Sequence, residues 1–125
     1  MDNFLDNPDQ SLTQRMLSYA PRLWYNMNFD ASELWNDVSI NSKGMLSINQ
    51  QFENFDVQDA LEHIQCPISL VLGRHDYFNS IHLWDHIVDC TPHLTRYIFE
   101  KSGHYPHYEE PELFKKILCS SPALI

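Results

Sequence analysis

The stretch "PISLVLGRHDYF", residues 67–78, decides how the rest of the chain is read. A proline opens a near-continuous apolar run, which then breaks at Gly73 into a polar loop. Proline is tolerated at the first position of a strand, and an apolar run without alternation marks a strand buried on both faces. Within residues 63–73 a strand is therefore expected to start at Pro67, with Asp76 in the loop beyond its carboxyl end. The next segment, "NSIHLWDHIVD" (79–89), places Ile81, Trp84 and Val88 on one stripe with Ile87 alongside. That is an amphipathic helix, with Asn79 or Ser80 as its cap. "LTRYIFE" (94–100) reads as a second strand. "EEPELFKKIL" (109–118) reads as a second helix, with Pro111 at its first position and lysines at its end. Strand, helix, strand, helix at this spacing is a βαβα unit with parallel strands and a right-handed crossover.

In an open parallel sheet, sites form at the carboxyl ends of the strands. Asp76 follows the first strand there and His104 follows the second. Gly73 and Gly103 stand in the same loops, where the backbone is expected to turn sharply. Adjacent parallel strands bring the two loops side by side. A carboxylate accepting from imidazole Nδ1 leaves Nε2 free as a base, which is the orienting half of a hydrolytic triad. The competing reading has Asp76 capping the following helix and His104 lining a turn. Residue type alone favours that alternative; joint placement at two successive strand ends favours the pair.

The N-terminal half is different in character. Residues 1–60 are rich in Asn, Asp, Gln and Ser and carry no convincing strand. "PDQSLTQRMLSYA" (8–20) suggests a helix capped by Asp9, with Leu12, Met16 and Leu17 on one face. "YAPRLWYNMNF" (19–29) reads as an irregular packed connection. "DASELW" (30–35) offers Asp30 as a cap with Glu33 three residues on. "SINQQFENF" (47–55) is a third helix or turn. The compositional break falls near Asp56–Asp59.

Two phrases, "CPISLVLGRHDYF" (66–78) and "YIFEKSGHYPHYEEPELF" (97–114), resemble the final third of an α/β-hydrolase of the proline iminopeptidase-like group. That group carries Gly-Arg-x-Asp after its seventh strand and Ser-Gly-His-x-Pro-x-x-Glu-Glu-Pro-Glu after its eighth. "YAPRLWYNMNFDASELWNDVSIN" (19–41) is similar to the end of its helical cap. The resemblance implies an α/β fold: a cap remnant over 1–58, then the C-terminal βαβα part of the core over 59–125. It implies Asp76 as triad acid and His104 as triad base, acting on a peptide or small amide or ester. The family binds a substrate amino group through acidic cap residues. Glu33, Asp37 and Glu53 lie in that half, but none falls in a matching motif.

The family serine sits in a Gly-x-Ser-x-Gly elbow. The chain has three glycines, at 44, 73 and 103, and no two of them are four residues apart. Ser69 falls inside a strand, Ser80 caps a helix, and Ser102 shares a turn with His104. Cys66 lies at the opposite end of its strand. None is expected to act as nucleophile. The resemblance thus implies a fragment of a serine hydrolase that lacks its serine, inactive on its own. The alternative is a non-catalytic truncated relative, a gene remnant or an interaction domain.

Other functions are disfavoured by composition. The net charge is −9 with only 8 Lys and Arg, and the largest cationic cluster is Lys115-Lys116. A phosphate-tracking surface needs more, so no nucleic-acid partner is expected. His82 and His86 have helical i, i+4 spacing, but Leu83 stands where an HExxH metalloprotease has its glutamate. No metal and no cofactor are expected. "HYPH" (104–107) is explained by His104 without metal, and His75 and Tyr77 flank the acid as rim or loop residues. Three widely spaced cysteines and an acidic N-terminus without an apolar core suggest a reducing, cytoplasmic setting and no membrane partner. Self-association is expected through an open edge of the strand at 67–72, helped by Trp24, Tyr25 and Trp35 left short of partners.

Overall fold

The computed structural model describes residue 14 and residues 17–38 and 40–120. Asp9, Leu12 and Met16, the expected first helix face, lie outside them. Leu17 packs against the core formed by Leu23, Trp24 and Ala31.

Two strands form the sheet among the described residues, β1 (Ile68–Gly73) and β2 (Leu94–Phe99). They pair in parallel, with Ile68 opposite Leu94 and Gly73 opposite Phe99. Pro67, which has no N–H to offer, stands just before the ladder. Pairing begins where the Ile68 amide donates to the His93 carbonyl at 2.9 Å. The register brings both strands to an end at the same level, so the Asp76 and His104 loops emerge together.

Burial along β1 departs from the expectation of two covered faces. Ser69 is exposed and Ile68, Leu70 and Val71 are half-buried; only Leu72 and Gly73 are buried. Two strands and short helices do not enclose both faces, and cover is concentrated at the carboxyl ends. There Phe99 is wholly buried.

The N-terminal half supplies that cover. Helix α1 (Ala20–Leu23) is a single turn with Pro21 at its second position; the rest of the expected irregular connection, residues 24–29, carries neither helix nor strand. Trp24 follows it and is 4% exposed. Its ring lies 4.4 Å from Phe29, 4.6 Å from Tyr105 and 5.4 Å from Tyr108. Trp24 is therefore not short of partners: the loop after β2 provides two of them. Trp35 is half-buried against the same cluster, and Tyr25, though 47% exposed, sets its ring against His75. Removing an aromatic ring from such a site typically costs about 3–5 kcal/mol, so this cluster is a main tie between the two halves.

Local caps explain the remaining elements. Asp30, expected as a cap, stands one residue before Ala31, the cap position of the 3-10 turn Ser32–Trp35; its Oδ1 accepts from the Ser32 amide. Helix α2 (Ser42–Phe52) starts five residues before the expected segment because Asn41 Oδ1 caps the Gly44 amide. Helix α3 (Val57–Glu62), not anticipated, is capped by Asp56 at the Gln58 amide.

Between the strands, the expected single helix is a 3-10 turn, Ile81–Trp84, running into α4 (Asp85–Cys90). Ile81 is buried and Trp84, Ile87 and Val88 are half-buried, so the apolar stripe is as read. Ser80 makes no side-chain cap. The Leu83 amide bonds back to its carbonyl instead, tightening the first turn. Asp85 pairs with Arg96 of β2, and this hydrogen bond, followed by that of His82, lowers the Asp85 pKa. After β2 come α5 (Pro106–Glu109) and α6 (Pro111–Ser120). Proline opens α6 as expected, but the helix continues to Ser120, so Lys115 and Lys116 lie mid-helix and not in its last turn.

Candidate active site

The two strand-end loops are bound to each other before any side chain is considered. The Arg74 amide donates to the Phe99 carbonyl at 2.8 Å, and the His75 amide to the Ser102 carbonyl at 2.9 Å. Gly73 and Gly103 make this approach possible. Neither has a positive φ, so the sharp turn expected of them is not their role. A Cβ on Gly73 would meet the backbone of Ser102 and Gly103; one on Gly103 would meet the backbone of Leu23 and Trp24. Both are required by space. Beside them, Arg74 Nε and Nη2 grip the Glu100 carboxylate at 3.0 and 2.7 Å, a planar two-point pair across the strand ends. Hydrogen bonding from Arg74 lowers the Glu100 pKa.

Asp76 is 8% exposed and uses both carboxylate oxygens. Oδ1 accepts from the Phe78 and Asn79 amides, each at 2.9 Å. Oδ2 accepts from His104 Nδ1 at 2.7 Å. Asp76 does not cap the following helix, which starts from Ser80 without a side-chain cap; one of its oxygens closes the turn before that helix and the other holds the imidazole. An acceptor-only carboxylate places the proton on Nδ1 and leaves Nε2 with a lone pair. Among the described residues Nε2 makes no hydrogen bond. The ring is kept in place by Phe78 at 6.2 Å and by Tyr105, edge-on at 5.1 Å.

No family model matches the chain, and no solved structure matches it. Curated proteins do. The chain is 31% identical over 110 residues to the AB hydrolase superfamily protein YclE of Bacillus subtilis, covering 86% of this chain and 39% of that protein. It is 27% identical over 116 residues to a proline iminopeptidase of Heyndrickxia coagulans, covering 93% of this chain and 36% of the relative. It is 30% identical over 80 residues to a pimeloyl-acyl-carrier-protein methyl ester esterase of Vibrio vulnificus, covering 64% and 31%. The chain belongs to the α/β-hydrolase superfamily. It spans well under half the length of these hydrolase relatives.

The remaining sequence candidates separate clearly. Ser102 is wholly buried, and its Oγ donates to Glu110 Oε2 at 2.7 Å, so the hydroxyl is committed away from the imidazole. Ser69 and Cys66 are exposed, Cys66 just before Pro67 at the start of β1. His82 pairs with Asp85 at 3.2 Å, and His86 lies 3.7 Å from Cys90 Sγ. His107 packs between Tyr105 and Phe114. Among the described residues no three His, Cys, Asp or Glu side chains come together as a metal site.

Glu109 and Glu110 do more than stand ahead of Pro111 at the start of α6. Glu110 Oε2 also accepts from the Lys101 amide at 2.9 Å, fixing the start of the His104 loop. Glu109 accepts from Gly103 and, across the molecule, from Tyr25. The sequence signal was the acidic pair itself, five and six residues beyond His104; the distant donor carried no local signature.

A cleft of about 250 Å³ opens beside the site, walled by Leu23, Trp24, Ala31, Trp35, Tyr105 and Tyr108. Neither Asp76 nor His104 lines it; Tyr105 is the residue that faces both. Burial, and after it the Asp76 charge, raises the Tyr105 pKa above the ordinary value. The folded state therefore holds this proton more tightly than the unfolded state. Its contribution to stability is intact below the unfolded tyrosine pKa, about 10, and is lost as pH rises through the folded value. In an absorbance titration of tyrosinate, one of the six tyrosines should ionise late in the wild-type chain, and that component should vanish in Tyr105→Phe.

Proposed function

We propose that this chain supplies the acid and base of a serine hydrolase of proline iminopeptidase type, with the nucleophile on polypeptide outside these 125 residues. The observation that carries the reading is the 2.7 Å hydrogen bond from His104 Nδ1 to Asp76 at the ends of paired parallel strands. In the reaction, Nε2 of His104 takes the proton of a serine hydroxyl as its oxygen attacks the scissile carbonyl. The imidazolium, stabilised by Asp76, returns that proton to the leaving amine or alkoxide. A water molecule activated by the same nitrogen then releases the acyl group. The substrates are peptides or small amides and esters. Glu33, Asp37 and Glu53 are all exposed, and among the described residues no carboxylate lines the aromatic cleft. An apolar group next to the scissile bond suits that cleft better than a charged one.

The test uses a proline arylamide and a short-chain aryl ester. The 125-residue chain alone should turn over neither. Fused to the portion of the Bacillus subtilis relative outside its match, it should hydrolyse one or both, and His104→Ala should abolish that turnover. Hydrolysis by the chain alone, lost on His104→Ala, would overturn the placement of the nucleophile elsewhere.

A further inference from the structure

Residues 22–25 run across the carboxyl ends of both strands and touch each loop through backbone. The Arg22 carbonyl accepts from the Tyr77 amide at 3.1 Å, next to the acid. The Leu23 carbonyl accepts from the amide of His104 itself at 2.6 Å. Gly103 lies so close beneath Leu23 and Trp24 that no Cβ fits between them. One side chain closes this arrangement. Glu109 Oε2 accepts from the Gly103 amide and Oε1 from the Tyr25 amide, both at 2.7 Å. The donors are 6 and 84 residues away in sequence.

A carboxylate is well suited to this task. It has two acceptor oxygens in fixed relation and no donor, and its charge strengthens both bonds. Among the described residues the Glu110 carboxylate binds within its own loop, at Lys101 and Ser102. The adjacent glutamates therefore divide the work: Glu110 shapes the His104 loop, and Glu109 ties that loop to a segment from the other half of the chain.

We propose that Glu109 is a positioning residue that latches segment 22–25 onto the His104 loop, so that the imidazole is held against Asp76 only while that segment is docked. Its catalytic meaning rests on the hydrolase reading of His104; the latch itself does not. When the segment lifts, Tyr25 and Gly103 lose their shared acceptor, and His104 loses the Leu23 carbonyl in the same movement. The base is thus coupled to the polypeptide that covers it.

The test is amide hydrogen exchange by NMR on the whole chain, together with the His104 Nδ1 proton signal. Glu109→Gln keeps the size but offers one acceptor and sets a donor against the other amide. Glu109→Asp keeps the charge but is too short to span both. In each, exchange at Tyr25, Gly103 and His104 should accelerate together by about tenfold or more, the worth of one hydrogen bond to a charged group, while the β1–β2 ladder keeps its rates. The Nδ1 signal should weaken in step. Glu112→Gln, an equal loss of charge on the start of α6, should change none of these. Acceleration at Gly103 alone would reduce Glu109 to a loop clamp and overturn the latch. Uniform acceleration through the ladder in both variants, or no change, would overturn it too. Absence of the Nδ1 signal from the unsubstituted chain would count against the Asp–His pair instead, and leaves the amide test of the latch standing.

Discussion

Asp76→Asn should leave the fold intact and remove the base. Asparagine retains one carbonyl oxygen, and that oxygen can keep the Phe78 and Asn79 amides that Asp76 Oδ1 now holds. The nitrogen then occupies the position of Oδ2, 2.7 Å from His104 Nδ1. An amide nitrogen donates, so the imidazole must accept at Nδ1 and carry its proton on Nε2. A histidine in that tautomer has no lone pair to offer a serine. In the hydrolytically competent fusion the loss should be about 10⁴-fold in kcat, the size expected when a triad base is held in the wrong tautomer. In the 125-residue chain, nitrogen chemical shifts of the His104 ring should report the change directly, with the melting transition little altered. Asp76→Ala is the informative contrast. It loses the turn cap as well, and a missing cap typically costs about 1 kcal/mol, so its melting temperature should fall while Asp76→Asn holds. If Asp76→Asn leaves the Nδ1–H tautomer in place, the pair is not oriented as described.

The parts of this site that could be read from sequence share one property: they are set within a few residues. A continuous apolar run after Pro67 specifies β1, a second run specifies β2, and the crossover length makes them parallel. Once parallel, their loops must be neighbours, and Asp76 and His104 follow. What escaped the sequence depends on contacts between segments far apart. Trp24 was expected to lack partners because a cap remnant is without the cap's other helices; Tyr105 and Tyr108 reach it from 81 and 84 positions away. Glu109 resembled an ordinary helix-start acid because nothing near it announces the Tyr25 amide. The two readings of Asp76 looked exclusive only because one residue was allotted one role. A carboxylate has two oxygens: one closes the turn after β1, short of the helix it was read as capping, and the other holds the imidazole.

The glycines carry the same lesson into a measurable effect. Gly73→Ala should be among the most damaging single changes in the chain. A Cβ there meets three atoms, all main chain: the Ser102 carbonyl oxygen at 2.5 Å, the Gly103 carbonyl carbon at 2.7 Å, and the Gly103 carbonyl oxygen closer still. Backbone cannot rotate aside as a side chain can. Relief requires the two loops to separate, which breaks the hydrogen bond from the His75 amide to the Ser102 carbonyl and carries His104 away from Asp76. Clashes of this kind fall in the rare class that costs about 4 kcal/mol or more, a large part of the stability of a small domain. Gly44→Ala is the matched control. The nearest atoms to its added Cβ belong to the Asn41 side chain, at 3.2 Å and beyond, at the start of helix α2. Alanine favours a helix over glycine by about 0.5–1 kcal/mol, and pressure on the Asn41 cap offsets part of that gain. The control should therefore shift stability by less than about 1 kcal/mol. Urea melts of the two variants compare a glycine required by space with one that is not. A Gly73→Ala chain that melts like the parent would mean that the strand-end loops do not approach as closely as this geometry requires.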